Sequence, residues 1–125
     1  MKIQFAAMAV VLGLMPARPA LAHHGNAQFD LHETVALKAT IAEFAWGNPH
    51  SVIYFDAKND KGQPIRWSCE TVQPALLHRA GWTRESLKPG DEVTVVVHPA
   101  KNGKPVGYLI KVVLANGDEL KMGEL

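Results

Sequence analysis

Cysteine is almost missing: Cys69 stands alone in 125 residues, which excludes an intramolecular disulfide and the paired-cysteine spacings of zinc sites. No HExxH pair, Gly-rich phosphate loop or G-x-S-x-G elbow occurs, and no two carboxylates stand at a spacing that suggests acid–base work. Charge of one sign is lacking too. The 13 Lys and Arg face 12 Asp and Glu, without the electrostatic footprint that polyanion binding needs. The one long apolar run, residues 5–15, falls short of the roughly 20 residues that span a bilayer, and no second run follows. These absences point away from a disulfide scaffold, a membrane-spanning chain and a nucleic-acid binder.

What is present begins with an export signal. Lys2 gives a positive start, residues 5–15 an apolar middle, and Ala20-Leu21-Ala22 an A-x-A cleavage site. The pattern predicts a signal peptide over residues 1–22, cut after Ala22; an uncleaved anchor fits the A-x-A site poorly. Removing 22 of 125 residues leaves 103, enough for one small domain with a modest core. Loss of Lys2 and Arg18 brings Lys+Arg from 13 to 11 against 12 acids, a formal charge of −1. All six histidines lie beyond the cut.

Residues 23–33 show little periodicity and read as an N-terminal arm, pinned to the body by Phe29 and Leu31. A single β-barrel domain is expected over residues 34–125. Alternation and β-branched content predict strands at 34–44, 51–58, 64–70, 92–98 and 106–114, with a short one near 119–122. In the fifth strand Val106, Tyr108, Ile110, Val112 and Leu114 are expected to point inward. Between the third and fourth, residues 72–80 change to a helical period, with Thr71 or Gln73 as cap, Pro74 in the first turn and Gly81 at the αL end. The order matches an OB-like antiparallel barrel of five to six strands with one short helix; a β-sandwich of another topology is the competitor. Cys69 shares a strand face with Ile65 and Trp67, so a buried, inert thiol is weighed above a reactive one.

An exported chain with Ala-His-His at the cut, Trp46-x-Asn48-Pro49-His50, Trp67-x-x-Glu70, Gly81-Trp82-Thr83 and Ser86-Leu87-Lys88-Pro89-Gly90-Asp91-x-Val93 resembles a bacterial family of small secreted proteins, number six-one-five-two in the domain-of-unknown-function series. The likeness covers essentially the whole mature chain. It implies a bacterial cell-envelope protein, periplasmic or secreted, with no assigned activity and no functional residues to carry over. Cys69 departs from it, standing where a small or apolar residue is implied.

Cleavage after Ala22 would make His23 the first residue and His24 the second. An N-terminal histidine chelates through its amino nitrogen and ring Nδ1, and a further imidazole completes a nitrogen-rich site suited to Cu(II). His50, His24 or His32 could supply that nitrogen. A cut one residue earlier would make Ala22-His23-His24, a tripeptide that wraps Cu(II). The plain competitor is two polar residues at a ragged terminus. The expected cofactor is therefore Cu(II) or none, with His23, His24 and His50 as metal candidates.

Trp46-Gly47-Asn48-Pro49-His50 joins two strands. Gly47 and Asn48 tolerate unusual backbone angles, and Pro49 fixes its own φ and pushes Asn48 out of the helical region. Such a stiff loop presents Trp46 and His50 to a metal or ligand, or closes the end of a barrel. Trp46, Asn48 and Tyr54 are the ligand-binding candidates, with Phe55 and Trp67 as further members of an aromatic platform on strands two and three. Trp67 also fits the core. Lys38, Lys58, Lys61 and Arg66 are scattered among acids, so no basic groove accompanies these rings and no nucleic-acid partner is expected. Catalysis would need Cys69 with His78 or His98 as base, and Cys69 faces the core, so no enzyme is expected. Two functions remain: an exported binding or accessory protein holding Cu(II) at His23, or an OB-like module for a ligand or protein, without metal or catalysis. Stable membrane insertion after cleavage is not expected.

Overall fold

The computed structural model describes residues 26–123; the leader, His23 and His24 lie outside them. A 3-10 turn at Asn26–Gln28 leads into β1 (Val35–Ala45), followed by β2 (Val52–Lys58), β3 (Pro64–Glu70), α1 (Pro74–Arg79), β4 (Glu92–Pro99), β5 (Val106–Val113) and β6 (Glu119–Lys121). The strands run β3-β2-β1-β4-β5-β6, and a further β3–β5 pairing closes the sheet into a barrel. That is the OB-like barrel with its helix between strands three and four. Every pairing is antiparallel except the closing one, where Ser68, Cys69 and Glu70 run parallel to Val106, Gly107 and Tyr108.

Closure depends on β1 serving two neighbours. Its first half pairs with β4 and its second half with β2. The register steps from Ile41↔Phe55 to Glu43↔Tyr54, so Ala42 is an extra residue that bends the strand between its partners. Ile41, Ile53, Phe55, Cys69, Val95, Val97, Leu109 and Val112 fill the interior with almost no exposure.

A second bulge corrects the expected face of β5. The pairing passes from Val96↔Lys111 to Val97↔Leu109, leaving Ile110 unmatched. The strand changes phase there: Gly107 and Leu109 are buried before the bulge and Val112 after it, while Val106 and Tyr108 turn outward. Apolar residues on both sides of the strand concealed the shift. At Gly107 a Cβ would lie 2.8 Å from the Cβ of Val97, so β5 crosses β4 at a distance only glycine allows.

One end of the barrel is plugged by the segment after β3. Pro74 opens α1, where its missing N–H costs nothing, and Gln73 occupies the cap position without a side-chain hydrogen bond. The helix ends in paired bonds from Gly81 N to His78 O and from Trp82 N to Leu77 O, with Gly81 at φ 93°. This places Leu77 and Trp82, both fully buried, over the core. Trp82 Nε1 donates to Lys121 O at 2.7 Å and ties the plug to β6. Among the described residues no helix is long and apolar enough to cross a membrane.

Candidate binding face on the outer side of β2, β3 and β5

Strand register builds a two-row grid on the barrel exterior. One row is Val52, Glu70, Tyr108 and His98; the next is Tyr54, Ser68 and Val106. All seven are half-buried, so their side chains are held by neighbours yet reachable from solvent. Both tyrosines of the chain therefore stand on one face, diagonally across Ser68 and Glu70.

The Trp46–His50 loop borders this face and hangs from a buried polar knot. Ser51, with no exposure, donates its N–H to Val72 O at 3.0 Å, and its carbonyl accepts from Thr71 N at 2.9 Å and Thr71 Oγ1 at 2.8 Å. Its hydroxyl accepts from Gly47 N at 3.3 Å, and the Asn48–Pro49 peptide is cis. The side chain of His50 is exposed, with Nδ1 3.8 Å from Glu70 Oε1, an ion-pair distance longer than a hydrogen bond.

The ligand-binding candidates do not assemble as expected. Tyr54 lies on the outer face, and Asn48 is exposed at the loop tip. Trp46 instead packs against the core, edge-on to Phe44 with centroids 5.6 Å apart. Phe55 and Trp67 stack on each other, 7° from parallel, on the inward side. The phase shift at Ala42 accounts for Trp46: beyond the bulge, Phe44 and Trp46 rather than odd-numbered partners of Ile41 alone meet the core.

The N-terminal arm docks at the far side of the grid. Phe29, 2 % exposed, bridges Ala100 and brings its ring to 5.8 Å from that of Tyr108. Asp30 N donates to Pro99 O and Lys101 N to Gln28 O, each at 2.9 Å. His98 Nδ1 lies 2.8 Å from Glu33 O. Leu31, expected as a second pin, is 46 % exposed because it sits in the turn that follows the bridge. His32 is exposed in the same turn.

Electrostatics mark two groups here. Burial, then the negative charge of Glu70, pushes the Tyr108 hydroxyl above its ordinary pKa. Burial, followed by Glu70, pushes the Cys69 thiol far up and keeps it protonated. With Cys69 fully buried, no exposed thiolate stands beside His78 or His98. Among the described residues, no three His, Cys, Asp or Glu side chains gather to hold a metal ion. Of the proposed ligands, His50 is placed and His23 and His24 are outside the description.

Sequence reasoning missed Glu70, Ser68 and Tyr108 as members of one face. Alternation in β3 already sets Ser68 and Glu70 opposite Cys69, so those two were readable; Tyr108 was hidden by the Ile110 bulge. A concavity of about 840 Å³ lies elsewhere, with Leu37, Ala39, Ala57 and Val93 in its lining and Lys38 and Lys58 beside them. It includes none of the grid residues. Thr40, Asp56, Glu92 and Thr94 complete its lining; the grid is the better candidate because its aromatic, hydroxyl and carboxylate groups stand on β2 and β3, the strands with which OB barrels engage ligands.

No curated protein and no solved structure matches the chain. A family model does match, over residues 12–109, a span that includes His23, His24 and the whole Trp46–His50 loop. The chain belongs to the Family of unknown function (DUF6152).

Proposed function

We propose that the protein is exported, cut after Ala22, and acts in the bacterial envelope as an OB-like interaction module that receives a protein partner on the outer face of β2, β3 and β5. The observation that carries this reading is the grid itself. It sets an aromatic, a hydroxyl and a carboxylate, half-exposed, on rigid paired strands where OB barrels engage ligands. The 840 Å³ concavity leaves these residues out and a second, of about 400 Å³, takes in His98 alone among them; small-molecule sites are concave, so a protein surface is the better fit. Immobilised protein tests it. Wild type and Asn116→Arg, altered in the exposed β5–β6 turn, should retain the same envelope protein, and Ser68→Arg should lose it with its circular dichroism unchanged. Equal retention by all three would remove the face from consideration. Export is tested separately by mass spectrometry of the envelope form, which should begin at His23.

A second reading is Cu(II) capture by His23 with His50 or His24. The docked arm favours it, since Phe29 packs on Tyr108, whose row neighbour Glu70 meets His50. Cu(II) should raise the melting temperature of the processed protein, because a ligand of the native state alone stabilises it. The rise should vanish when an extra residue precedes His23.

A further inference from the structure

We infer that the partner meets this face with a basic segment, an arginine of which lies on the ring of Tyr54 between the carboxylates of Glu43 and Glu70; the inference rests on the proposal that the outer face of β2, β3 and β5 receives a protein. Strand register sets the three groups along one diagonal. Glu43 of β1 stands directly opposite Tyr54 of β2, and Tyr54 stands opposite Ser68, two residues before Glu70 on β3. Directly opposed side chains start about 5 Å apart and diagonal ones about 7–8 Å. A cation within about 6 Å of the Tyr54 ring centre therefore has a carboxylate on either side.

Two strand bulges bring these groups to one face. Ala39 and Ile41 point into the barrel, so without the extra residue Ala42 the next odd-numbered position, Glu43, would enter the core. The bulge turns it outward to Tyr54. The unmatched Ile110 does the same for β5 and leaves Tyr108 outside, opposite Glu70. The two tyrosines stand two strand spacings across and two residues along from each other, about 12 Å in all. Tyr108 has its ring against Phe29 and forms a fixed wall. Tyr54 is half-buried and, among the described residues, pairs with no other ring, which leaves its exposed part to a partner.

Charge decides the kind of partner. Among the described residues Glu43 has no ion pair, and Glu70 has only His50, at 3.8 Å. Arg66, two residues before Ser68 on the same face, is engaged by Asp56 through hydrogen bonds of 2.6 and 3.1 Å. The face therefore offers two carboxylates with no lysine or arginine of its own upon them, and an acidic partner would be repelled. Arginine suits it better than lysine. Its flat guanidinium stacks on an aromatic ring while the N–H groups at its edge still reach carboxylates. The side chain of Glu70 is 44 % exposed and Glu43 is exposed as well, so salt should screen the attraction.

The test uses the full chain expressed with its own leader, recovered from the envelope and labelled with nitrogen-15. It is titrated with the peptide acetyl-Gly-Arg-Ser-Arg-Gly-amide and with its citrulline counterpart, which keeps the shape of each arginine and lacks the charge. Amide resonances of Tyr54, Ser68 and Glu70 should shift with the arginine peptide, that of Asn116 should stay in place, and the citrulline peptide should shift none of them at the same concentration. Glu43→Gln combined with Glu70→Gln should weaken the arginine peptide about tenfold, the effect of losing a charged hydrogen bond, with circular dichroism unchanged. Equal shifts from the two peptides, or equal affinity in the wild type and the double variant, would overturn the inference. If Ser68→Arg still loses the envelope protein in that case, the face stands and only its preference for a basic partner is wrong. If Ser68→Arg retains that protein as the wild type does, the reading of the face fails and this inference with it. Self-association that Ser68→Arg abolishes would put a second copy of the chain in the partner's place and would likewise overturn it.

Discussion

The rings of Phe29 and Tyr108 meet at 5.8 Å on the outside of the barrel, joining the N-terminal arm to β5. Phe29 lies outside the main core cluster yet is 2 % exposed, so the arm has a hydrophobic anchor of its own. Phe29→Ala should therefore cost about 3 kcal/mol, the low end for a buried phenylalanine, because the cavity opens at an edge that can relax. Urea unfolding measures the loss. Hydrogen exchange at Asp30 and Lys101 should accelerate well beyond that of β1. Uniform acceleration would show that the arm is not a separate unit.

Gly107 predicts a sharper effect. An added Cβ would fall 2.8 Å from Val97 Cβ and 2.9 Å from its Cγ2, inside a packed core. Gly107→Ala should destabilise by about 1–3 kcal/mol through overpacking. Combined with Val97→Ala, much of that loss should return, since the two changes share one contact. Simple additivity in the double mutant would place the strain elsewhere.

Alkaline pH should weaken the fold through Cys69. Its thiol is raised in the native state by burial, so the protein is at full stability below the ordinary thiol pKa of about 8.5. Above it the unfolded chain loses a proton that the native chain keeps, and stability falls by up to about 1.4 kcal/mol per pH unit. Tyr108, raised for similar reasons, adds to the fall from about pH 10. Urea midpoints at pH 8 and pH 10 should separate in the wild type and draw together in Cys69→Ala. A separation of the same size in both would exclude Cys69 as its source.

Much of this fold is legible in the residues themselves. Period-2 alternation marks β2 and β3, Pro74 and Gly81 bracket α1, and the position of that helix selects the OB-like order. What alternation cannot show is a bulge. Ala42 and Ile110 each insert one residue, and each flips the strand beyond it, which moved Trp46 to the core and Tyr108 to the surface. The parallel β3–β5 closure is equally silent in sequence, since its partners are remote and no turn fixes their register. The site was legible in part: His50 and Tyr54 were singled out, but Glu70, which links them to Tyr108, becomes visible only when three strands are laid side by side.

The use of the outer face is tested most directly by photo-crosslinking in the living cell. A benzoylphenylalanine in place of Tyr54 probes the face; the same residue in place of Asn116 probes an exposed turn away from it. The face predicts one discrete heavier adduct from position 54 and none from position 116. No adduct from position 54, or the same adducts from both positions, would contradict it.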